Sequence, residues 1–350
     1  MSNVSKEPRV SRPVRMKDIA RDLGVSAVTV SKALRDAPDI GREMKRLVRQ
    51  RCKELNFHAN LAARSLVTSK TFSVGLVVPD LLHSFFAEIA MGVARKLHPR
   101  GYTLVLSNSQ EDPALEKREV ERLLARSVDG ILLASAQPPR GLTMFREIQA
   151  RNVPLVLLDR RFPRLKCDFI GADNQELGRM ATAHLIAGGC RHVAHVACLQ
   201  ISTGPPRLEG YRAALAGSGF PVSPELVVET ENNGVGGYCA MQRLLQLRPI
   251  PDGVFCFSDN VAAGALKAIL EAGLNVPDDV ALIGAGNLLY SDFLRVPLST
   301  VDLRCASIGE QAAGLLLERM RGECAVPART VLMPLTLLVR ESSRRAGNHS

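Results

Sequence analysis

The sequence predicts two architectures in one chain: a small all-α module at the N-terminus and a large α/β module behind it. Three observations carry this. Charge is unevenly spread: the 350 residues carry a net +10, and residues 1–70 hold 16 Lys and Arg against 7 Asp and Glu, a net of +9. Residues 15–58 repeat apolar side chains at helical spacing, with basic residues on the other faces. From residue 72 onward, short apolar runs alternate with helical stretches, as buried parallel strands and their crossover helices do. A basic block of this size points to a polyanion, either nucleic acid or an anionic membrane.

Composition narrows the classes. Hydrophobic residues at 46% and charged residues at 23% suit a globular protein and argue against disorder as the main state. No apolar run approaches the roughly 18–20 residues of a membrane helix. Arg9, Arg12 and Arg15 have no apolar segment behind them, which reads against a secretory signal. The eight cysteines are scattered without a C-x-x-C pair, and most sit in apolar runs. They are expected to be reduced core thiols of a cytoplasmic protein.

In chain order, residues 1–14 are polar and basic without periodicity, and are expected to be a disordered tail. A first helix starts near Met16, with Met16, Ile19, Ala20 and Leu23 on one face. Gly24 ends it, because glycine tolerates the left-handed position past a helix end. Ser26 can cap a second helix over 27–34 through its hydroxyl. A third helix over about 42–55 turns Met44, Leu47, Val48, Cys52 and Leu55 inward. Residues 60–67 form a short candidate helix before a polar linker. Strands are expected at 73–79, 103–108, 130–135, 155–159, 169–173, 192–198, 226–230, 253–257, 280–286 and 298–302, with a last pair near 329–340.

The strongest motif is Ile19-Ala20-(x)3-Gly24-Val25-Ser26-(x)2-Thr29-Val30-Ser31-Lys32. Its spacing suits a helix-turn-helix. A small Ala20 admits the crossing helix, Gly24 allows the turn, and Val25 fills the space between helices. Ser26, Thr29 and Ser31 are short hydroxyls suited to backbone phosphates near a helix N-terminus. Ala27 and Val28 occupy the early positions that face base edges in a major groove. Both are apolar, so they can touch a thymine methyl and cannot make a bidentate hydrogen bond. Lys32, one turn later, can reach a guanine or a phosphate. Leu66, within Asn60-Leu61-Ala62-Ala63-Arg64-Ser65-Leu66-Val67, is either a packing leucine or a wedge for a minor groove.

These motifs, in this order, resemble the lactose-repressor (LacI/GalR) family of bacterial transcription regulators. The resemblance runs on through Gly75-Leu76-Val77-Val78-Pro79-Asp80, Ser84-Phe85-Phe86, Val128-Asp129-Gly130-Ile131, Asp173-Asn174 and Arg207-(x)2-Gly210-Tyr211, covering about 15–343. It implies an all-α helix-turn-helix DNA-binding domain plus an α/β two-lobed periplasmic-binding-protein-like (type I) effector domain. The implied layout is a tail at 1–14, the helix-turn-helix at 15–58, a hinge helix and linker at 59–71, the effector domain at 72–342 and a tail at 343–350. The N-lobe would take about 72–172 and 303–334, and the C-lobe about 174–301 and 336–342, with crossovers near 172–175, 301–304 and 334–336. Carried over by position, DNA contacts fall at Met16, Ser26, Ala27, Val28, Thr29, Ser31, Lys32, Arg35, Phe57, Asn60, Ala63, Arg64 and Leu66.

The resemblance places effector contacts at Phe85, Phe86, Asp159, Arg207, Ser258 and Asn287. The planar fork of Arg207 suits vicinal hydroxyls or a carboxylate; an inter-lobe salt bridge is the structural alternative. Two positions depart from the family pattern. Ser258-Asp259 stands where Asn-Asp is common, and Gly284-Ala285-Gly286-Asn287 lacks both the usual aromatic and the usual aspartate. The expected partners are palindromic operator double-stranded DNA, a second copy of the chain, and a small-molecule effector, with sugars and sugar derivatives among the candidates. No cofactor, metal or membrane is expected. His192 and His195 would point to opposite faces of a strand and cannot converge on one ion. No P-loop, G-x-S-x-G or complete dinucleotide loop occurs, so an enzyme is not expected. A solute-binding protein without a DNA role and an α/β enzyme are the competing readings. The absence of leucine heptads after Val339 favours a dimer over a coiled-coil tetramer.

Overall fold

The computed structural model describes residues 14–34, 36–57, 70–138, 140–322 and 327–345. The chain divides into two compact units, Met1–Thr71 and Phe72–Ser350. Arg35, Asn60, Ala63, Arg64 and Leu66 lie outside the described residues, as do residues 59–69 of the expected hinge and 1–13 of the expected tail.

Among the described residues of the first unit three helices pack: α1 (Met16–Asp22), α2 (Ala27–Leu34) and α3 (Arg42–Glu54). Gly24 sits at φ +64 in the turn between α1 and α2, where a side chain would be strained. The Ser26 hydroxyl accepts from the Thr29 N–H at 3.0 Å, occupying one of the donors a helix start leaves open. Ile19, Ala20, Val30, Ala33, Val48 and Cys52 form the core, and Met16, Leu23, Val25, Met44 and Phe57 pack around it.

The second unit holds two six-stranded sheets. One contains β1 (Ser73–Val78), β2 (Thr103–Asn108), β3 (Gly130–Leu133), β4 (Leu155–Leu158), β5 (Asp168–Ala172) and β11 (Thr330–Met333), in the order β11-β5-β4-β3-β1-β2. The other contains β6 (Val193–Ala197), β7 (Val227–Glu229), β8 (Gly253–Cys256), β9 (Ala281–Gly286), β10 (Ser299–Asp302) and β12 (Thr336–Leu338), in the order β12-β10-β9-β8-β6-β7. The chain passes between sheets three times: after β5, after β10 and after β11. All pairings are parallel except β10 with β12, which is antiparallel. A three-residue final strand that enters directly from the other sheet has no crossover helix to reverse its direction.

The helices of this unit are α4 (Ser84–Leu97), α5 (Pro113–Ala125), α6 (Thr143–Ala150), α7 (Asn174–Ala187), α8 (Gly204–Gly217), α9 (Gly234–Leu244), α10 (Asp259–Glu271) and α11 (Cys305–Met320). Three pairs cross so closely that glycine is needed on both sides. A Cβ on Gly178 of α7 would lie 2.1 Å from the Arg207 carbonyl oxygen, and one on Gly210 of α8 would lie 2.0 Å from that of Gln175. Gly237 with Gly264 and Gly92 with Gly309 do the same for α9/α10 and α4/α11.

The expectation that the cysteines are core thiols needs correction. Cys52, Cys190, Cys198, Cys256 and Cys305 are buried, but Cys239 is exposed and Cys167 half-buried, both free thiols. Cys239 lies on α9 just before Ala240 and Met241, which take the inward positions, so helical rotation carries its thiol to solvent.

Candidate functional site

Within the α/β unit, side chains from both sheets converge on one cleft. Phe85, Phe86, Asp159, Arg207 and Ser258, five of the six positions expected from the resemblance, line a small cavity there. Its volume is about 30 Å³, room for little more than a water or two. A larger mouth of about 1040 Å³ adjoins it and shares His83, Phe86, Arg160, Ile201 and Asn232.

Local structure sets each group. His83 caps α4: its Nδ1 accepts from the Phe85 N–H at 3.3 Å. In a neutral ring the hydrogen then sits on Nε2. Burial lowers the His83 pKa, which keeps the ring neutral. Phe85 and Phe86 meet edge to face, with ring centroids 5.0 Å apart. Asp159 follows β4 at φ +59, a costly conformation for a non-glycine residue and one that clusters at ligand sites. Burial raises its carboxyl pKa, against the opposing pull of Arg160 and Arg207. The Arg207 guanidinium is buried, lies 4.3 Å above the Phe257 ring centroid, donates from Nε to the Asn174 side chain at 2.9 Å, and bonds the Phe257 carbonyl. Desolvation brings its pKa down to about 10, which leaves it a cation at neutral pH. The Ser258 hydroxyl caps α10 and donates to Asn232 Oδ1 at 2.6 Å.

Asn287 is not in this group. Its Oδ1 accepts from Arg340 at 2.8 Å, and the wall of the cavity beside it is Ala285, Gly286 and Leu288. The nearby acid, Asp259, faces inward. It accepts from Ser291 (2.6 Å), Thr300 (2.7 Å) and the Leu288 N–H (2.9 Å), so its hydrogen-bonding capacity is spent inside the lobe.

Sequence reasoning missed His83, Arg160, Ile201, Thr203 and Asn232. Thr203 and Arg207 are one helical turn apart, a spacing that could have paired them. Arg160 directly follows Asp159, but nothing local reveals its partner Glu111, which accepts from it at 2.7 and 2.5 Å. His195 is fully buried on β6 and stacks on Phe255 at 4.5 Å, while His192 lies before that strand and is exposed. The two do not meet.

The helical unit presents a different surface. Ala27 and Val28 are exposed at the start of α2, Val28 to 63%. Lys32 lies one turn below Val28 and is paired with Asp39. Ser26 and Thr29 hydroxyls are bonded to each other at 2.9 Å. Ser31 is half-buried. Phe57 and Met16 pack against the core of the unit rather than standing clear of it. Basic side chains surround α3, with Lys45 and Arg49 both on Asp36.

Comparison with known proteins gives two domain matches. Residues 15–60 match the bacterial regulatory proteins, lacI family, and residues 182–343 match the periplasmic binding protein-like domain. The HTH-type transcriptional repressor PurR of Actinobacillus pleuropneumoniae serotype 3 (strain JL03) is 31% identical over 332 residues, covering 94% of this chain and 98% of that protein. PurR of Pasteurella multocida (strain Pm70) is 33% identical over 329 residues, with 93% and 98% covered. Among solved structures, a transcriptional regulator CelR–cellobiose complex aligns with a TM-score of 0.71 at 29% identity, over 95% of this chain and 100% of that one. The Lac repressor dimer bound to operator and the anti-inducer ONPF aligns with a TM-score of 0.83 over 95% and 99%, a likeness of fold at 24% identity.

Proposed function

The chain belongs to the LacI family of bacterial regulatory proteins, and on that premise we propose that it is a repressor whose operator affinity is set by a small molecule held in the cleft of its α/β unit. It is a DNA-binding transcriptional regulator with a ligand-binding domain. Its curated relatives are transcriptional repressors, not enzymes. Among the described residues, no helix is long and apolar enough to cross a membrane, and we place the protein in the cytoplasm.

One observation carries the effector reading: a buried, charged Arg207 and a partly buried Asp159 line one cavity, in a cleft to which both sheets contribute. Taking charges out of water is costly, and groups held so cluster at functional sites. A ligand that prefers one arrangement of the two lobes shifts the population of that arrangement, and through linkage the affinity for DNA. In this reading α2 enters the major groove of each half of a palindromic operator, bound by a dimer. Ser26, Thr29, Ser31, Arg35 and Arg64 hold phosphates, Ala27 and Val28 meet apolar base edges, and Lys32 leaves Asp39 for the DNA. Met16, Phe57, Asn60, Ala63 and Leu66 complete the contact set by position, Leu66 as the minor-groove wedge.

Selection of bound sites from genomic DNA tests this. A palindromic consensus is expected, with affinity falling steeply as salt rises, and Leu66→Ala is expected to weaken operator binding without altering the melting of the α/β unit. A random 20-mer bound as tightly as any selected site would end the repressor reading.

A further inference from the structure

The inner cavity of about 30 Å³ is too small for an effector, whereas the mouth of about 1040 Å³ has the size of a small-molecule pocket. The mouth also has a charge of its own. Asp80, Glu111, Glu229 and Glu231 line it against Arg160 and the neutral His83, and Arg160 is committed to Glu111. This acidic mouth sits in a chain of net charge +10. Low-dielectric clefts lined by one sign of charge concentrate ligands of the opposite sign.

The deep end has the reverse polarity. His83 is 6% exposed, and no acceptor lies within full hydrogen-bond reach of its Nε2, although the Asn232 side chain is near enough to favour its protonated form. The buried Nε of Arg160 makes no hydrogen bond either and lies 3.9 Å from Asp159 Oδ2. Both residues line the inner cavity and the mouth alike. A buried donor without an acceptor is destabilising, so the junction of the two spaces wants an oxygen acceptor. Phe86 supplies an apolar wall to both.

Resting on the effector reading above, we propose that the mouth is a subsite for a positively charged group. The effector is then a hydroxylated amine: an oxygen at its inner end accepts from His83 and Arg160, and its ammonium lies between Glu229 and Glu231. Both glutamates are exposed and are bonded only to neutral amides, Glu229 to Gln200 at 3.0 Å and Glu231 to Asn233 at 2.9 Å. Their charges are therefore not cancelled by a cation of the protein among the described residues. A carboxylate ligand would meet repulsion at the same place.

The test uses the full chain and matched probes: glucosamine and the fully deacetylated chitosan disaccharide, each beside its fully N-acetylated form, together with glucuronate. N-acetylation removes the charge and keeps the scaffold. Calorimetric titration at low and high salt is expected to show at least one amine binding ten-fold or more tighter than its acetylated partner, and weakening as salt rises. Glu229→Gln with Glu231→Gln is expected to abolish that preference while the thermal melt stays unchanged. The proposal fails if no amine binds, if an acetylated form or glucuronate binds as tightly, or if the double variant keeps the preference. Operator affinity is measured in parallel. An amine that binds without changing operator affinity refutes the coupling and leaves the charge assignment standing. A neutral ligand that binds and changes it does the opposite.

Discussion

The helical unit and the α/β unit use charge in opposite ways. Around α3 and the α2–α3 turn the ion pairs lie on the surface, such as Arg46 with Glu43 and Lys32 with Asp39, both partners well exposed. Pairs of that kind add little to stability and exchange partners readily. The α/β unit has surface pairs as well, such as Arg179 with Glu176, but it also places charged groups inside: Arg160, Arg207, Asp168 and Asp259 are buried and Asp159 is partly so. Most are tied by several hydrogen bonds, as Asp168 is to Arg319 (2.7 and 2.8 Å) and to the Arg329 N–H (2.7 Å). The first arrangement keeps cations available for a polyanion. The second fixes geometry, because a buried charge tolerates only the positions in which its partners reach it.

The contrast breaks first at Asp259. Asp259→Ala leaves two hydroxyls and the Leu288 N–H without their acceptor, and is expected to cost about 4 kcal/mol at roughly 1–3 kcal/mol per orphaned group. Urea unfolding followed by near-ultraviolet circular dichroism would show it, with the helical unit melting as before. A loss below about 1 kcal/mol would mean that the lobe relaxes around the change.

Acid should separate the two units next. Burial pushes the His195 pKa down to about 4 from an ordinary 6.5. A folded value below the unfolded one means the unfolded chain takes up the proton first. Stability is therefore whole above pH 6.5 and erodes as pH falls from there toward 4, by roughly 3 kcal/mol in all. His195→Gln is expected to flatten this part of the pH profile of the α/β unit. An unchanged profile would assign the acid sensitivity to other groups.

A smaller effect is expected at Ser26. Ser26→Ala removes the cap of α2 and is expected to destabilise the helical unit by about 1 kcal/mol, and to weaken DNA binding by more than that if the hydroxyl also holds a phosphate. The smallest change sharpens the contrast most. Asp39→Asn frees Lys32, and because the pair lies at the surface little change in melting is expected. Binding to random duplex DNA should tighten and become more salt-dependent. Equal salt slopes for the two proteins would place Lys32 away from the DNA.

Part of the site was legible in the sequence and part was not. Gly24, Ser26 and Val28 could be placed because a helix-turn-helix is local: its turn, cap and exposed face follow from positions within a dozen residues of each other. The strands could be placed because each is a short apolar run. The antiparallel pairing of β12 and the exposure of Cys239 could not, since apolar character alone fixes neither strand direction nor which face of a helix the second layer covers.

The sequence by itself determined that the chain has a basic helical unit and an α/β unit, where the elements of each fall, and which family it joins. These follow from periodicity, from glycine at obligatory turns and from motifs in a fixed order. The family motifs group Arg207, Asp159 and Ser258, and only the tertiary structure adds His83, Arg160 and Asn232 to the same cleft. Arg207, Asp159, His83 and Asn232 come from four separate stretches, and their meeting depends on strand order and on the three passages between sheets. It also decided that Asn287 is held by Arg340 and that four acids surround the mouth. Side chains far apart in sequence acquire a common electrostatic environment only when the sheets place them there, and no local pattern in the chain encodes that sum.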